Sequence, residues 1–204
     1  TRNMLDLAVK YKAKFLQASS SVVYGGAEDG GHIFKEDDIG CVDHLNERAS
    51  YDEGKRYAET MVKTYALIEN VDIRIARIFR TYGPRMPLED GQMVPDFITN
   101  ALDNKQLLIY GDENFTSSFC YVSDIIEGLV KLMESSYTEP VNLGSTDNYL
   151  LKDLAEHIID LVQSEASVDF EKPIAFMRPL GIPDITRAKE ELNWFPIVTI
   201  SEGL

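Results

Sequence analysis

The sequence has few of the residues that hold metals or disulfide frameworks. It contains two cysteines, Cys41 and Cys120, without a CxxC pair, and three histidines at positions 32, 44 and 157 without metal-ligand spacing. We therefore expect neither a disulfide scaffold nor a metal site. So few cysteines fit a reducing compartment, and we expect a cytoplasmic location.

Long apolar runs and a surplus of positive charge are also absent. No apolar run approaches the length of a membrane span, and the opening TRNMLDLAVKYKAKF is charged and helical in pattern, unlike a signal peptide. The formal net charge of −14 argues against nucleic acid as a partner, because its backbone selects basic patches. An anionic small molecule is compatible with this charge, since a few local arginines can bind one.

The glycine motif of dinucleotide-binding proteins is missing. None of the thirteen glycines forms GxGxxG or GxxGxxG. That turn lets the pyrophosphate of a dinucleotide approach a helix N-terminus. From the residues alone, either the protein binds no dinucleotide or that part of the site lies outside this chain.

Strand and helix patterns alternate along the 204 residues. Alternation with helices of ten or more residues predicts an α/β fold with a largely parallel sheet, whose ligands bind beyond the carboxyl ends of the strands. The predicted helices are 2–12, 50–69, 93–104, 123–134, 150–163 and 184–194. The predicted strands are 14–20, 71–79, 107–111, 118–122, 140–144 and 167–171, and residues 25–38 are a predicted loop.

Two polar clusters stand where such a sheet presents ligand groups. The stretch QASSSVVYGG ends a predicted strand with serines, and Tyr51 and Lys55 open the next long helix one turn apart. A phenol has a reference pKa of about 10, and a nearby ammonium lowers such a value. A serine hydroxyl can hold a substrate alcohol against the phenol. Together these groups predict an alcohol-oxidising site, whereas either motif alone is more often structural.

Seven segments carry a resemblance to a known family, and they run in order nearly from end to end. They are ASSSVVYG, YDEGKRYAET, IRIARIFRTYGPRM, DGQMVPDFITNAL, SFCYVSDIIEGLVKLM, PVNLGS and PDITRAKEELNW. They resemble the extended short-chain dehydrogenase/reductase superfamily of nucleotide-sugar epimerases, dehydratases and decarboxylases, and within it most closely the UDP-glucuronate decarboxylases.

The resemblance implies a Rossmann-like, doubly wound parallel sheet, of which this chain is the C-terminal part, with a smaller α/β substrate lobe. Residues 1–82 would belong to the NAD-binding domain and residues 83–204 mainly to the lobe that binds the nucleotide sugar, with segments returning to the sheet. The glycine-rich loop would precede this chain, which alone should be a poor catalyst. A homodimer through helices 1–12 and 50–69 is also implied.

The resemblance assigns roles residue by residue. Ser20 would hydrogen-bond the sugar 4-hydroxyl, Tyr51 would be the base, and Lys55 would contact the nicotinamide ribose. The implied cofactor contacts are Tyr51, Lys55, Ser19, Tyr82 and Arg85. The implied substrate contacts are Arg80, Val94, Tyr110 and Arg178. Asn3 would support the site, and structural packing is the alternative role of Asn3, Tyr82 and Tyr110.

Several positions depart from the family pattern. Val22 stands where decarboxylases and dehydratases have a glutamate, and a valine cannot transfer a proton. Arg80 replaces an asparagine, Ser117 an arginine, and Gly181 another arginine. We expect Arg80 and Arg178 to re-form the anion site for the diphosphate. The alternative is that Arg80 only caps a strand.

The resemblance implies an NAD-dependent enzyme acting on a UDP-sugar, with decarboxylation of UDP-glucuronate to UDP-xylose through a 4-keto intermediate as the first reading. A 4-epimerase tolerates Val22 better, because it needs only the serine, tyrosine and lysine. A 4,6-dehydratase comes third, since the serine motif has no acidic pair. A non-catalytic nucleotide-sugar binder with altered phosphate contacts is the alternative of another class.

Overall fold

A computed structural model describes residues 1–27, 31–88, 90–173 and 180–204. The helices are α1 (Arg2–Tyr11), α2 (Ala49–Glu69), α3 (Met93–Leu102), α4 (Val122–Glu134), α5 (Leu151–Val162), α6 (Thr186–Leu192) and α7 (Ile200–Gly203), with a 3-10 helix at Ser21–Tyr24. The strands are β1 (Phe15–Ser20), β2 (Ile33–Phe34), β3 (Ile73–Ile78), β4 (Thr81–Tyr82), β5 (Leu107–Tyr110), β6 (Thr116–Ser118), β7 (Cys120–Tyr121), β8 (Val141–Leu143), β9 (Asn148–Leu150), β10 (Val168–Glu171) and β11 (Ile182–Pro183).

The central sheet is parallel and has the strand order β1-β3-β8. Phe15 pairs with Ile73 and Ser20 with Ile78, so β1 and β3 end at the same edge. The buried strand β3 lies in the middle, which its isoleucine-rich alternating sequence favours. The serines that end β1 and Arg80, two residues after β3, therefore lie toward one edge, where the predicted site lies.

Helices cover both faces of this sheet, as expected of a Rossmann-like α/β fold. One apolar cluster joins α1 and α2 to β3 through residues such as Leu5, Val62 and Ile75. A second cluster packs α4 and α6 against the sheet around Leu132 and Trp194. Opposite faces of a strand carry alternate residues, so both covers are needed to bury β3. The predicted α/β fold class is confirmed.

A third cluster forms a separate core from α3, α5 and β5, with Phe97, Ala101, Leu107 and Leu154 fully or almost fully buried. Strand β5 pairs in parallel with β10, and β6 pairs antiparallel with β9. This core occupies the region for which a substrate lobe is predicted. The division of the chain at residue 83 stays a prediction.

Short strands account for the differences between the predicted and observed elements. The predicted loop 25–38 contains β2, which pairs with β11 about 150 residues later in the chain. Strands of two residues depend on partners distant in sequence and carry no periodicity of their own.

None of the helices in the described part of the chain has the length and hydrophobicity that a bilayer crossing requires.

Candidate active site

The end of β1 places the serines at the sheet edge. Ser20 is the N-cap of the 3-10 helix, and its Oγ accepts a hydrogen bond from the Val22 amide at 3.4 Å. Ser21 and Val22 follow as buried residues of that turn. A serine favours such a cap because its side-chain oxygen accepts from the free amides of the first turn.

The first turns of α2 place Tyr51 and Lys55 beside that edge. The Lys55 ammonium donates a hydrogen bond to the Ala18 carbonyl oxygen of β1 at 2.9 Å, and it lies 5.6 Å from the centroid of the Tyr51 ring. The Tyr51 side chain is 48% exposed, so an incoming substrate can reach it. Lys55 therefore fixes α2 against β1 next to an accessible phenol.

A cavity of about 270 Å³ lies between the ends of β1 and β3, the start of α2 and the start of α3. It brings together four of the predicted site residues, Ser20, Tyr51, Arg80 and Val94. The described residues that line it are Ser20, Ser21, Val22, Arg48, Tyr51, Ile78, Phe79, Arg80, Thr81, Met86, Gly91, Gln92, Met93, Val94, Phe119 and Leu180.

Arg80 is the residue of this cavity whose pKa is shifted. Burial, followed by the repulsion of the nearby Arg48 charge, lowers the pKa of Arg80 to about 10. Its guanidinium carbon lies 5.6 Å from the centroid of the Phe119 ring. Arg80 is thus partly buried in the cavity wall and is not a solvent-facing strand cap.

Arg48 is a cavity residue that the sequence reasoning missed. It is the N-cap residue of α2, and its guanidinium carbon lies 5.8 Å from the Tyr51 ring centroid. Its Nε also lies 3.5 Å from Oδ1 of Asp52. The available signal was its position one helical turn before Tyr51, which puts both side chains near the same end of the helix.

Other predicted site residues line neighbouring cavities. Tyr82, Arg85 and Val94 border a cavity of about 480 Å³. Tyr82 is almost fully buried and its hydroxyl donates to the Thr199 carbonyl oxygen at 3.3 Å, which agrees with packing as part of its role. Tyr110 borders a third cavity, of about 330 Å³, together with Asn100.

Ser19 is not among the residues that line these cavities. It is buried, and its hydroxyl donates to Oε1 of Glu59 at 2.5 Å, so its side chain joins the packing between β1 and α2. Asn3 lies on the exposed side of α1, and Ser117 is buried in β6. Arg178 lies outside the described residues.

A search of protein-family models matches residues 1–144 to the NAD dependent epimerase/dehydratase family. Similar curated proteins include UDP-glucuronic acid decarboxylase 1 of Arabidopsis thaliana and its namesake in Danio rerio, each 44% identical over all 204 residues. The chain covers 46% and 48% of those two proteins, and thus spans about half their length.

Solved structures agree with the fold. Epimerase Mth375 of Methanothermobacter thermautotrophicus has a TM-score of 0.87 and 26% identity, with 98% of this chain and 59% of that chain covered. The UDP-glucuronic acid 4-epimerase of Bacillus cereus in complex with UDP-glucuronic acid and NAD has a TM-score of 0.86 and 26% identity. There the match covers 98% of this chain and 62% of that one.

Proposed function

The chain belongs to the NAD dependent epimerase/dehydratase family, and we propose that the full-length protein is an NAD-dependent nucleotide-sugar enzyme that decarboxylates UDP-glucuronic acid. The observation that carries this proposal is that Ser20 and Tyr51 line one cavity while Lys55 is anchored beside it. The decarboxylases at 44% identity favour this substrate among those of the family.

The residues present fit one end of the proposed cofactor. Lys55 projects from α2 to the carboxyl end of β1, where open α/β sheets bind nucleotides, and its ammonium would donate to a ribose hydroxyl of the cofactor. Tyr51, Tyr82 and Arg85 are the further contacts that we propose. When bound, NAD⁺ supplies a hydride acceptor that later returns the hydride.

The chemistry that this chain contributes is positioning and proton transfer. Ser20 would hold the sugar 4-hydroxyl against Tyr51, which would remove its proton as the C4 hydride leaves. The resulting 4-ketone is β to the C5 carboxylate, so carbon dioxide can leave with the electron pair delocalised into the ketone. The enolate left behind would take a proton at C5 from water. Return of the hydride to C4, with the proton of Tyr51 returning to the C4 oxygen, would complete UDP-xylose formation.

A 4-epimerase is the second candidate, and Val22 favours it. Val22 is 4% exposed and lines the cavity with an apolar side chain, so position 22 offers no proton-transferring group. Epimerisation needs only hydride return to the opposite face of the 4-ketone. The similar B. cereus structure is described as a UDP-glucuronic acid 4-epimerase.

We propose further that the cavity of Tyr110 receives the uracil base. It combines the aromatic rings of Tyr110 and Phe115 with the amide of Asn100, which suits a planar group with polar edges.

The two described cysteines, Cys41 and Cys120, are free thiols, and for that reason we propose a cytoplasmic location.

Product analysis tests the proposed reaction. The full-length protein is incubated with NAD⁺ and either UDP-glucuronic acid or UDP-glucose, and the products are identified by mass spectrometry and chromatography. Loss of carbon dioxide from UDP-glucuronic acid supports decarboxylation. An unchanged mass with a changed retention time identifies an epimerase, and no product from either substrate contradicts both candidates.

A further inference from the structure

The cavity beside Tyr51 is positively charged in a strongly acidic chain. The sequence has 34 acidic residues against 20 lysines and arginines. The described lining of the cavity nevertheless contains two arginines, Arg48 and Arg80, and no aspartate or glutamate. A concave site lined by charge of one sign attracts a ligand of the opposite sign.

Arg80 has no anionic partner within the described part of the chain. Its guanidinium makes no ion pair or hydrogen bond with any described side chain or backbone group, and its carbon lies 5.6 Å from the centroid of the Phe119 ring. The backbone of Arg80 is held, since its carbonyl oxygen accepts from the Cys120 amide at 2.9 Å. A partly buried charge held in place without a counter-ion costs free energy.

Arg48 adds a second positive charge to the same cavity. Each charge disfavours the other, which contributes to the lowered pKa of Arg80. Asp52 compensates Arg48 in part, with a separation of 3.5 Å between Nε and Oδ1. The cavity thus holds more positive than negative charge, and a bound anion would relieve this imbalance.

We propose that Arg48 and Arg80 together form a subsite for an anionic oxygen group of the substrate, either the carboxylate of the sugar or the diphosphate. The planar guanidinium forks suit both groups, because each presents oxygens that accept two parallel hydrogen bonds. The inference rests on the proposed function and deepens it, since it makes Arg48 and Arg80 determinants of substrate choice.

Binding affinities measured by titration calorimetry test the subsite without relying on turnover. UDP, UDP-glucose and UDP-glucuronic acid are titrated into full-length, NAD⁺-loaded Tyr51→Phe protein with and without Arg80→Gln. We expect Arg80→Gln to weaken binding of UDP-glucuronic acid about tenfold or more. Equal weakening for all three ligands assigns the diphosphate to the subsite, and weakening for UDP-glucuronic acid alone assigns the carboxylate.

Two further variants separate this role from a structural one. Lys152→Gln removes an exposed positive charge on α5 and should leave all three affinities unchanged. Arg80→Lys retains the charge without the fork and should bind with intermediate affinity. In the ligand-free protein, Arg80→Gln should raise the unfolding temperature, because it removes an uncompensated charge.

Unchanged affinity of Arg80→Gln for all three ligands overturns the subsite while leaving the proposed function intact. A lowered unfolding temperature together with equal affinities assigns Arg80 to packing and also overturns it. If the protein with intact Arg80 binds none of the three ligands, the proposed function and the subsite are both contradicted. Product formation, measured separately, distinguishes these cases.

Discussion

At the scale of single residues, Lys55 connects the proposed chemistry to the fold. Its ammonium is bonded to the Ala18 carbonyl oxygen at the end of β1 and lies beside the Tyr51 ring. Removing this group should therefore disturb the site much more than the stability of the chain. Lys63 lies eight residues further along the same helix and forms an exposed ion pair with Glu139.

Replacing Lys55 by methionine should lower kcat of the full-length protein about 100-fold, because a positioned ammonium next to the base is lost. The free energy of unfolding should fall by only about 1 kcal/mol, the contribution of one hydrogen bond. Steady-state kinetics measure kcat, and urea denaturation measures the free energy of unfolding. Lys63→Met is the matched control, and equal kcat values for the two variants would contradict the assignment.

The sequence predicts some of these residues and not others. Tyr51 and Lys55 are identifiable because their spacing places them on one helical face after a serine-ended strand. The position of Arg48 one turn before Tyr51 indicates that the two side chains are close, but its place in the same cavity as Arg80 depends on how the start of α2 meets the end of β3. Ser19 and Ser20 are neighbours in a strand and point to opposite faces, and only the fold decides which one reaches the cavity.

At the scale of elements, a buried polar network holds α2 against the central sheet. Arg77 of β3 forms an ion pair with Glu59 of α2 at 2.8 Å, and both side chains are nearly buried. Its guanidinium also donates to the Tyr24 hydroxyl at 2.9 Å. Burial alone would lower the pKa of Arg77, but the hydrogen bond to Glu59, the Glu59 charge and the hydrogen bond to Tyr24 outweigh it and raise this pKa.

Replacing Arg77 by methionine should lower the free energy of unfolding by about 3–5 kcal/mol, because Glu59 would remain buried without its partner. Lys105→Met removes one member of an exposed ion pair with Asp103 and should lower the free energy of unfolding far less than Arg77→Met does. Urea denaturation of both variants makes the comparison. Equal losses of unfolding free energy in the two variants would show that the Arg77 network does not hold α2 in place.

Long elements were predictable and short ones were not. The helix predicted at 50–69 is observed at Ala49–Glu69, and the strand predicted at 71–79 is observed at Ile73–Ile78. Both have sustained periodicity that matches their buried faces. Strands β2 and β11 pair over two residues each, so their positions follow from the fold around them.

At the scale of the whole molecule, two helices expose apolar stripes. Met4, Leu7 and Tyr11 share one face of α1, and Tyr57 and Ile68 share one face of α2. Each of these side chains is between 44% and 70% exposed. We propose that these stripes meet their copies in a homodimer, consistent with the helices predicted for that role.

Light scattering after gel filtration tests the dimer. We expect the full-length protein to have twice the monomer mass and the double variant Leu7→Lys with Ile68→Lys to be monomeric, because charges would be buried at the interface. Leu161→Lys changes an exposed apolar residue of α5 instead and should stay dimeric. A dimer that persists in the double variant would place the interface elsewhere.

The family and the fold class could be predicted from the sequence, because the seven segments that resemble the family extend in order over nearly the whole chain. The sugar and the reaction outcome were not, since they depend on where a substrate lies relative to Val22, Arg48 and Arg80. The cationic cavity in a chain of net charge −14 is likewise a product of folding, which gathers distant arginines at one edge of the sheet.

The most direct test of the central claim is the turnover of UDP-glucuronic acid by full-length Tyr51→Phe protein with NAD⁺, compared with wild type. Removal of the phenolic hydroxyl should lower kcat about 100- to 10,000-fold and leave substrate affinity nearly unchanged. Tyr57→Phe, an exposed tyrosine of the same helix, is the control and should retain activity. Wild-type turnover in Tyr51→Phe would contradict the assignment of Tyr51 as the base.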